Sequence, residues 1–308
     1  MREPSSPEPS QGLLIFDRAL QRARRRRALA AGPETFLLDR VAADLAERLG
    51  AVLRRFDLVL DLGTPGEAVR TALAGVASVG SVISARATLP EGQARVSNFV
   101  VADEEALPFG SAVFDLVVSA LSLQFVNDLP GALVQVRRVL KPDGLFVAAL
   151  AGGATLTELR QSFAAAESEI EGGISPRVAP FADVRDLGAL LQRAGFALPV
   201  TDVDRVTARY GSVFALMHDL RRMGASNALI DRRRVPLRRA TLMRMAEIYA
   251  ERFADADGRL RATFDIVWLA GWAPHPSQQQ PLRPGSAQTR LADALGTREI
   301  STGEKAGG

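Results

Sequence analysis

The chain has 308 residues, of which 47% are hydrophobic and 24% are charged, and this composition is typical of globular proteins and excludes a mostly disordered chain. Cysteine is absent, which excludes disulfides, thiolate nucleophiles and metal centres with Cys ligands. With only two histidines, His218 and His275, a metal site built from several histidines is excluded as well. No run of about 18 apolar residues occurs, so we expect no transmembrane segment. Residues 1–12 lack the apolar core of a secretory signal, and we therefore expect a cytoplasmic protein.

The formal net charge of +3 is unevenly distributed. Seven arginines against three acidic residues give residues 1–28 a net charge of +4, and thirteen against six give residues 205–262 a net charge of +7. Lys141 and Lys305 are the only lysines, which indicates either a GC-rich genome or a docking surface for an acidic partner. We do not expect nucleic acid as a partner, because aromatic residues are only 6% of the chain and no recognition motif is present.

The first half of the chain shows alternating helical and strand patterns. Residues 1–12 are rich in Pro, Ser and Glu and are predicted to be disordered, and helices are predicted over 16–30 and 35–53. We interpret the arginines 24–27 of the first helix as a solvated face. Short apolar runs typical of buried strands follow, with a helix clearest at 129–140 and a turn at 141–144; the runs span 57–63, 78–84, 95–103, 114–123 and 144–150. This alternation predicts βαβ units and a mostly parallel sheet.

The second half of the chain continues with more helix and less strand. Helices are predicted over 155–171 and 183–195, followed by a strand over 196–210. Helices that carry the second arginine-rich region are predicted over 212–254, and a last strand over 262–273. The remainder, from 274 onward, is rich in Pro, Ser, Gln and Gly and is expected to be flexible.

Ligands of such a sheet bind at the carboxyl ends of its strands, so the residues that end the strands are the candidates for a site. The turn after the first strand reads DLGTPGEA, in which Gly63 and Gly66 allow a nucleotide-like ligand to approach the backbone; a tight turn without ligand is the alternative. A ribose site would have an acidic residue after the second strand, but Ser84 stands there and Arg86 reverses the charge.

The third and fourth strand ends offer further candidates. The carboxylate of Asp103 can reach an adenine amino group, whereas Glu104 either joins the site or caps the next turn. The segment 119–130 would line the pocket floor, and Asn127 or Asp128 within it is also a helix N-cap candidate. A loop rich in Gly and Pro, EGGISPRVAPF (171–181), is either a lid or a simple connection.

The order of DLGxxG, VADEEALPF, FDLVVSALSLQFVNDLPGAL and RRVLKPDGLF resembles the class I S-adenosylmethionine-dependent methyltransferases. Further blocks resemble one subfamily, the methyltransferase-like assembly factors of respiratory NADH dehydrogenase (complex I), known in mitochondria as protein-arginine hydroxylase. These blocks include IFDR (15–18), LAGGATLTELRQSF (150–163), EGGISPRVAPF and LMHDLRRMGASN (216–227). The chain is more distantly similar to the malonyl-carrier-protein methyl ester synthase of biotin synthesis.

The resemblance implies an α/β, Rossmann-like class I methyltransferase fold. Its mostly parallel seven-stranded sheet would carry helices on both faces and a helical insertion, about 212–256, before the last strand. Together with the patterns above, it predicts a disordered N-terminus over 1–12, N-terminal helices over 13–56, a methyltransferase-like domain over 57–274 and a flexible tail over 275–308.

The resemblance also implies S-adenosylmethionine as cofactor, and Asp61, Gly63, Asp103 and Ser119 stand on the matching positions. With Gly66, Ser84 and Glu104 from the strand ends above, these are the predicted cofactor-binding residues. Three features depart from the family pattern. The usual Cys-Gly of the first motif is Thr64–Pro65, the acidic residue after the second strand is missing, and the usual His-Trp is Gln124–Phe125. These departures imply that the fold is kept while affinity for S-adenosylmethionine is reduced or lost.

No catalytic residue or metal site is predicted. Methyl transfer needs proximity and orientation more than an acid–base pair. We interpret His218 as a partly buried structural histidine, and the iron triad of two His and a carboxylate cannot be assigned. Three functions remain open: a methyltransferase acting on a protein substrate linked to complex I assembly, a catalytically weakened assembly factor that binds a respiratory NADH dehydrogenase subunit, and, distantly, a malonyl-carrier-protein methyltransferase. Arginine hydroxylation is implied by resemblance only.

Overall fold

The computed structural model describes residues 14–88, 98–279, 293 and 296–298. The predicted disorder of 1–12 therefore lies outside the described residues, as does most of the predicted tail over 275–308. Contacts divide the chain into two compact units, Met1–Pro274 and His275–Gly308. In the second unit His275 is exposed, and its Nδ1 accepts a hydrogen bond from the Ser277 N–H at 3.2 Å. All helices and strands named below belong to the first unit.

Seven strands of the described chain form one sheet, in the order β3-β2-β1-β4-β5-β7-β6. Strands β1 to β5 run parallel, whereas β7 lies antiparallel between β5 and β6. This confirms the predicted mostly parallel seven-stranded sheet. The strands are β1 (Phe56–Leu62), β2 (Val79–Arg86), β3 (Phe99–Val101), β4 (Phe114–Ala120), β5 (Leu140–Ala151), β6 (Ala197–Tyr210) and β7 (Leu260–Trp272).

The strand order reverses at β1, which pairs with β2 on one side and with β4 on the other. Strand β1 is an almost continuous apolar run and is buried on both faces of the sheet, as parallel strands covered by helices are. After β1 the chain forms β2 and β3 on one side of it, and β4 then lies on the other side. This reversal opens a crevice at the carboxyl ends of β1 and β4, where α/β sheets bind ligands.

Helices cover both faces of the sheet, as predicted. Buried side chains of α2, α3, α5, α7 and α8 form the core on one face, and those of α4 and α6 form the core on the other. The predicted helical insertion is confirmed, because α7 and α8 lie between β6 and β7 along the chain. The helices are α1 (Arg18–Ala30), α2 (Phe36–Gly50), α3 (Ala68–Leu73), α4 (Leu129–Val139), α5 (Thr157–Glu171), α6 (Val184–Arg193), α7 (Val213–Arg222) and α8 (Arg239–Phe253).

Helix α2 shows why the apolar pattern predicted these elements correctly. Its apolar residues recur at intervals of three and four, so they share one face of the helix, and that face is buried. Each such side chain contributes about 1.5–3 kcal/mol when it is fully removed from water. Among the described residues, none of the helices combines the length and the apolar character that crossing a bilayer requires.

The turn predicted at 141–144 is part of a strand. The pairing of β4 with β5 passes from Phe114–Leu140 to Leu116–Leu145, so residues 141–144 form an irregularity inside β5. Asp143 has a φ of +61° there. A Cβ added at Gly144 would lie 2.9 Å from the Lys141 carbonyl oxygen, so this fold of the backbone requires glycine. The predicted end of the preceding helix is confirmed, but the prediction was wrong in starting the strand only at 144, since β5 begins at Leu140.

Candidate functional site

The turn after β1 is fastened to the neighbouring strand by a buried side chain. Thr64 is fully buried, and its Oγ1 accepts a hydrogen bond from the Ala120 N–H at the end of β4 at 3.0 Å. Gly63 and Gly66 adopt φ values of +73° and +72°, which glycine adopts at no steric cost. Thr64, at the position where the family usually has Cys, therefore holds the end of β1 against the end of β4.

Asp61, Ser84 and Arg86 lie together at the ends of β1 and β2. The parallel register places Asp61 beside Ser84, whose Oγ donates to Asp61 Oδ2 at 3.4 Å. Arg86 Nη2 lies 3.9 Å from Asp61 Oδ2 and 2.9 Å from Glu67 Oε1. Burial raises the pKa of Asp61 to about 6, and the hydrogen bond from Thr64 and the charge of Arg86 offset this only in part. At the end of β2, where a ribose site would have an acidic residue, Arg86 thus pairs with the protein's own Asp61 and Glu67.

Helix α1 extends over the crevice and presents three arginines to it. Arg18, Arg22 and Arg25 are spaced by four and three residues, so they share one face of the helix. The helix begins after Asp17, whose side chain accepts a hydrogen bond from the Leu20 N–H at 3.0 Å. The N-terminal helix therefore belongs to the candidate site, which the sequence did not predict.

Arg18 and Arg22 bind the carboxylates that follow β3. Arg18 lies 2.6 Å from Asp103 Oδ1, 2.5 Å from Glu104 Oε2 and 2.6 Å from Glu105 Oε2, and Arg22 lies 2.6 Å from Asp103 Oδ2. Desolvation raises the pKa of Asp103, but hydrogen bonds from the Glu105 N–H and both guanidiniums lower it by more, and the net shift is downward. The carboxylates predicted to bind a nucleoside, Asp103 and Glu104, are therefore paired with α1.

Arg25 enters the crevice itself. Its Nη1 donates to the Gly63 carbonyl oxygen at 3.1 Å and to Ser122 Oγ at 3.3 Å, and its Nη2 donates to the Leu121 carbonyl oxygen at 3.3 Å. Burial lowers the pKa of Arg25 to about 10, so the group remains charged at neutral pH. The solvated face predicted for arginines 24–27 is therefore wrong for Arg25, and also for Arg24, which donates to the Asn227 carbonyl oxygen.

The space beside Gly63 is occupied by the protein's own side chains. A Cβ added at Gly63 would lie 2.4 Å from Ser122 Oγ and 2.7 Å from Glu104 Oε1. The close approach that this glycine allows is thus used by Ser122 and Glu104. Arg25 and Arg18 also contact this end of the crevice, through the Gly63 carbonyl oxygen and the Glu104 carboxylate.

The structure separates the predicted site residues into small groups. Asp61 contacts Ser84, and Gly63 contacts Glu104, while Asp103 lies beyond them under Arg18 and Arg22. Ser119 is buried in β4, and its Oγ has no hydrogen-bond partner among the described residues. The helix N-cap after β4 is Asp128, which accepts from the Gly131 N–H at 2.8 Å. Asn127 instead accepts hydrogen bonds from the backbone just before α1.

A cavity of about 920 Å³ lies beside the turn after β1. Its wall is largely apolar and comes from α1, α2, α5 and α7 together with the residues that follow β1 and β4; it includes Ala28, Leu38, Gly66, Phe125, Leu159 and Met217. Gly66 is the predicted cofactor residue that lines it. The sequence did not indicate the helical walls, because apolar residues at helical spacing are equally typical of core packing.

The loop predicted as either a lid or a connection is fastened to α5 and closes one side of the cavity. Glu167 is 1% exposed and accepts hydrogen bonds from the Ser175 N–H at 2.7 Å and from Arg177 Nε at 2.8 Å. The Arg177 guanidinium also lies 5.6 Å from the centre of the Phe163 ring, and both residues line the cavity. In this structure the loop is a fixed wall.

The interpretation of one histidine is wrong, and two arginines of the region 205–262 have partners within the protein. Arg232 lies 3.2 Å from Asp17 Oδ2, and Arg233 pairs with Glu171, so neither presents a free charge to an acidic partner. His218 is exposed on α7 and is not a partly buried structural histidine. Among the described residues, no group of three or more His, Asp or Glu side chains is arranged to hold a metal ion.

Comparison with known proteins gives the family. Residues 60–148 match a family model described as a methyltransferase domain. The arginine-hydroxylase NDUFAF5 of Mus musculus, a mitochondrial protein, is 40% identical over 319 residues, which cover 98% of this chain and 90% of that protein. This chain belongs to the methyltransferase-domain family of the arginine-hydroxylase NDUFAF5. A malonyl-[acyl-carrier protein] O-methyltransferase of Halorhodospira halophila is 38% identical over 248 residues, which cover 78% of this chain and 82% of that protein.

A solved structure supports the fold of this family member. The YcgJ protein of Bacillus subtilis superposes with a TM-score of 0.51 at 17% sequence identity, covering 77% of this chain and 99% of that one. The predicted class I methyltransferase fold and the predicted subfamily are therefore confirmed. Membership in the NDUFAF5 family also confirms the second part of the sequence resemblance, which rested on blocks outside the methyltransferase motifs.

Proposed function

We propose that this protein acts on an arginine-bearing protein substrate, a subunit linked to the assembly of respiratory NADH dehydrogenase, at the cavity beside the ends of β1 and β4. The observation that carries this proposal is the 40% identity to an arginine-hydroxylase across 98% of the chain. The cavity of about 920 Å³ supports it, because it has room for a side chain and its neighbouring residues. The link to NADH dehydrogenase rests on the sequence resemblance.

S-adenosylmethionine is a weak ligand of the resting protein in this proposal. The methyltransferase fold is retained, but Ser122 and Glu104 occupy the space beside Gly63, and Arg18 pairs with Asp103. The proposal that the chain is a catalytically weakened methyltransferase that acts on arginine accounts both for the retained fold and for the occupied crevice. A cytoplasmic location stays a prediction.

A carrier-protein methyl ester synthase is the second candidate, favoured by the 38% identity to the Halorhodospira halophila enzyme. The two candidates differ in product. The first increases the mass of an arginine residue by that of one oxygen atom or one methylene group. The second forms a methyl ester on a thioester-linked acyl group. Mass spectrometry of the NADH dehydrogenase subunits and of the acyl-carrier protein therefore separates them.

The test is deletion of the gene, followed by complementation with matched variants. We expect deletion to lower NADH dehydrogenase activity and to abolish a mass increase on an arginine of one subunit. Met217→Trp, which fills the cavity, should fail to restore both, whereas Ala215→Trp, on the exposed side of the same helix, should restore both. Normal NADH dehydrogenase levels in the deletion strain, or subunits with unaltered arginines in the wild type, would overturn the proposal.

A further inference from the structure

The Arg25 guanidinium donates hydrogen bonds to three oxygen atoms of the protein. Its three partners are the Gly63 carbonyl oxygen, the Leu121 carbonyl oxygen and Ser122 Oγ. A guanidinium carries five N–H donors in a planar fork and no acceptor, so it matches such a set of oxygens. A lysine ammonium is a compact point charge and does not reproduce the fork. The chemistry of this pocket therefore selects arginine over lysine.

The backbone of the pocket is held in an unusual conformation. Leu121 has a φ of +50°, although it is not glycine, and its N–H is bonded to the Ala149 carbonyl oxygen at 2.8 Å. A non-glycine residue in this conformation costs free energy, and such residues occur preferentially at functional sites. Here the strained residue supplies one of the oxygens that bind the guanidinium.

A carboxylate lies on the far side of the same pocket. Glu104 is 6% exposed, and its Oε1 accepts a hydrogen bond from Ser122 Oγ at 3.3 Å. Its charge favours the charged form of Arg25, which otherwise loses its hydration in the crevice. A buried cation is tolerated only where such a charge and the hydrogen bonds are both present.

The pocket adjoins the cavity of the proposed site at Leu121. Arg25, Leu121 and Phe125 all line that cavity, and the Arg25 guanidinium lies 5.9 Å from the centre of the Phe125 ring. A guanidinium that entered through the cavity would reach the same oxygens once the Arg25 side chain had turned away. The backbone of α1 is held in place here, because the Arg25 Cα packs against Gly224, where an added Cβ would lie 2.8 Å from it.

We propose that the oxygens of Gly63, Leu121 and Ser122 form the binding pocket for the arginine side chain of the protein substrate, and that Arg25 occupies it as an internal stand-in when no substrate is bound. The inference rests on the proposed function for the identity of the ligand. Its test measures binding without turnover, so that it can fail while the role in NADH dehydrogenase assembly stands.

The test compares Arg25→Ala with Arg27→Ala, an exposed arginine of the same helix. The ligands are N-acetyl-arginine methylamide and N-acetyl-lysine methylamide, titrated by calorimetry. We expect the arginine ligand to bind Arg25→Ala roughly tenfold or more tightly than it binds wild type or Arg27→Ala, a gain of about 1.4 kcal/mol or more. Folded Arg25→Ala that binds neither ligand, or binds both alike, would overturn the inference.

A second measurement on the wild-type protein does not depend on the folding of Arg25→Ala. The enclosed Nη–H groups of Arg25 should give slowly exchanging NMR signals, assigned by their loss in Arg25→Lys. We expect millimolar N-acetyl-arginine methylamide to abolish these signals through displacement, and the lysine ligand to leave them unchanged. Signals that persist with the arginine ligand at saturation, or vanish with both ligands, would contradict a guanidinium pocket.

Discussion

The Arg18 guanidinium lies 2.6 Å from the Asp103 carboxylate, joining the first described helix to the end of β3 across 85 positions of sequence. Arg22 reaches the other oxygen of the same carboxylate at 2.6 Å. Both ion pairs are partly shielded from water, so they are stronger than exposed pairs of the same length. Helix α1 is thereby fastened over the crevice in which the sequence resemblance predicts that this chain binds S-adenosylmethionine.

Removing these arginines should open the nucleoside end of the crevice. We expect the triple variant Arg18→Ala, Arg22→Ala, Arg25→Ala to bind S-adenosylmethionine more tightly than wild type by roughly tenfold or more, about 1.4 kcal/mol. The physical reason is that Asp103 loses its ion pairs with α1 and that the volume of the Arg25 side chain becomes available. Calorimetric titration measures the change, with Arg27→Ala as the matched control. Equal affinity in all three proteins would show that α1 does not exclude the nucleoside.

The raised pKa of Asp61 should make stability depend on pH. In the folded protein this pKa is about 6, against 3.8 for an ordinary aspartate, so the folded state retains a proton that the unfolded state has released between these pH values. The free energy of unfolding must therefore fall as pH rises from about 4 to 6. The expected contribution is on the order of 2–3 kcal/mol, since one pKa unit corresponds to about 1.4 kcal/mol.

Asp61→Asn isolates this effect from the other carboxylates. We expect the free energy of unfolding of the variant, minus that of wild type, to be larger at pH 7 than at pH 4 by about that amount. The reason is that Asn carries no charge to desolvate. Urea denaturation at both pH values gives the difference. Asp57→Asn, on an exposed position of the same strand, is the control. A stability difference for Asp61→Asn that is independent of pH would contradict the burial of an ionisable Asp61.

The hydrogen bonds of Glu167 should hold the cavity wall in place. Glu167→Gln removes a buried charge that Arg177 and Ser175 require, and breaking such a buried pair costs about 3 kcal/mol. We expect tryptic cleavage after Arg177 to become much faster than in wild type. Glu169→Gln, whose side chain is 46% exposed on the same helix, should leave both stability and cleavage nearly unchanged.

The pKa of Glu167 predicts how this wall responds to acid. Desolvation raises the pKa, but hydrogen bonds from Ser175 and Arg177 lower it by more, so the folded value lies below the ordinary 4.5. The stabilisation is therefore complete above pH 4.5 and is lost as pH falls through the lower folded value. Cleavage after Arg177 by an acid-active protease should accelerate only below pH 4.5 in wild type, and should not depend on pH in this way in Glu167→Gln.

Reversing the charge of Arg233 should damage the fold rather than partner binding. Arg233 pairs with Glu171, whose other oxygen accepts a hydrogen bond from Thr241 Oγ1 at 2.7 Å. We expect Arg233→Glu to have a Tm several degrees below wild type, because two carboxylates would then face each other. Arg234→Glu changes an exposed neighbour and should leave the Tm unchanged. Differential scanning calorimetry of the two variants decides between these outcomes.

The strands were predictable because each is a short apolar run. The run at 57–63 became β1 (Phe56–Leu62), and the run at 114–123 became β4 (Phe114–Ala120). Of the predicted third strand, 95–103, the structure describes residues 98–103, in which β3 spans Phe99–Val101 and ends two residues before Asp103. Apolar runs report where a strand is buried, but its ends depend on hydrogen bonds to neighbours that are distant in sequence.

The contacts between α1 and the crevice at the ends of β1 and β4 were not predictable in the same way. Asp103 and Gly63 were identified as site residues by their place after a strand, but their contacts with α1 join residues far apart in the chain. A signal was nonetheless present. Arginines spaced by four and three residues form a basic stripe on one helix face, and the acidic run at 103–105 is its complement. Charge complementarity of this kind becomes visible only when both segments are considered as one surface.

The packing around Gly63 has a consequence for evolution. Any side chain at position 63 would be strained by the φ of +73° and would displace Ser122 and Glu104, so purifying selection would keep this glycine even in a lineage that had abandoned its cofactor. The motif that marks a methyltransferase can then outlast methyl transfer. Genome surveys that count such motifs would overestimate the number of working methyltransferases among relatives built in this way.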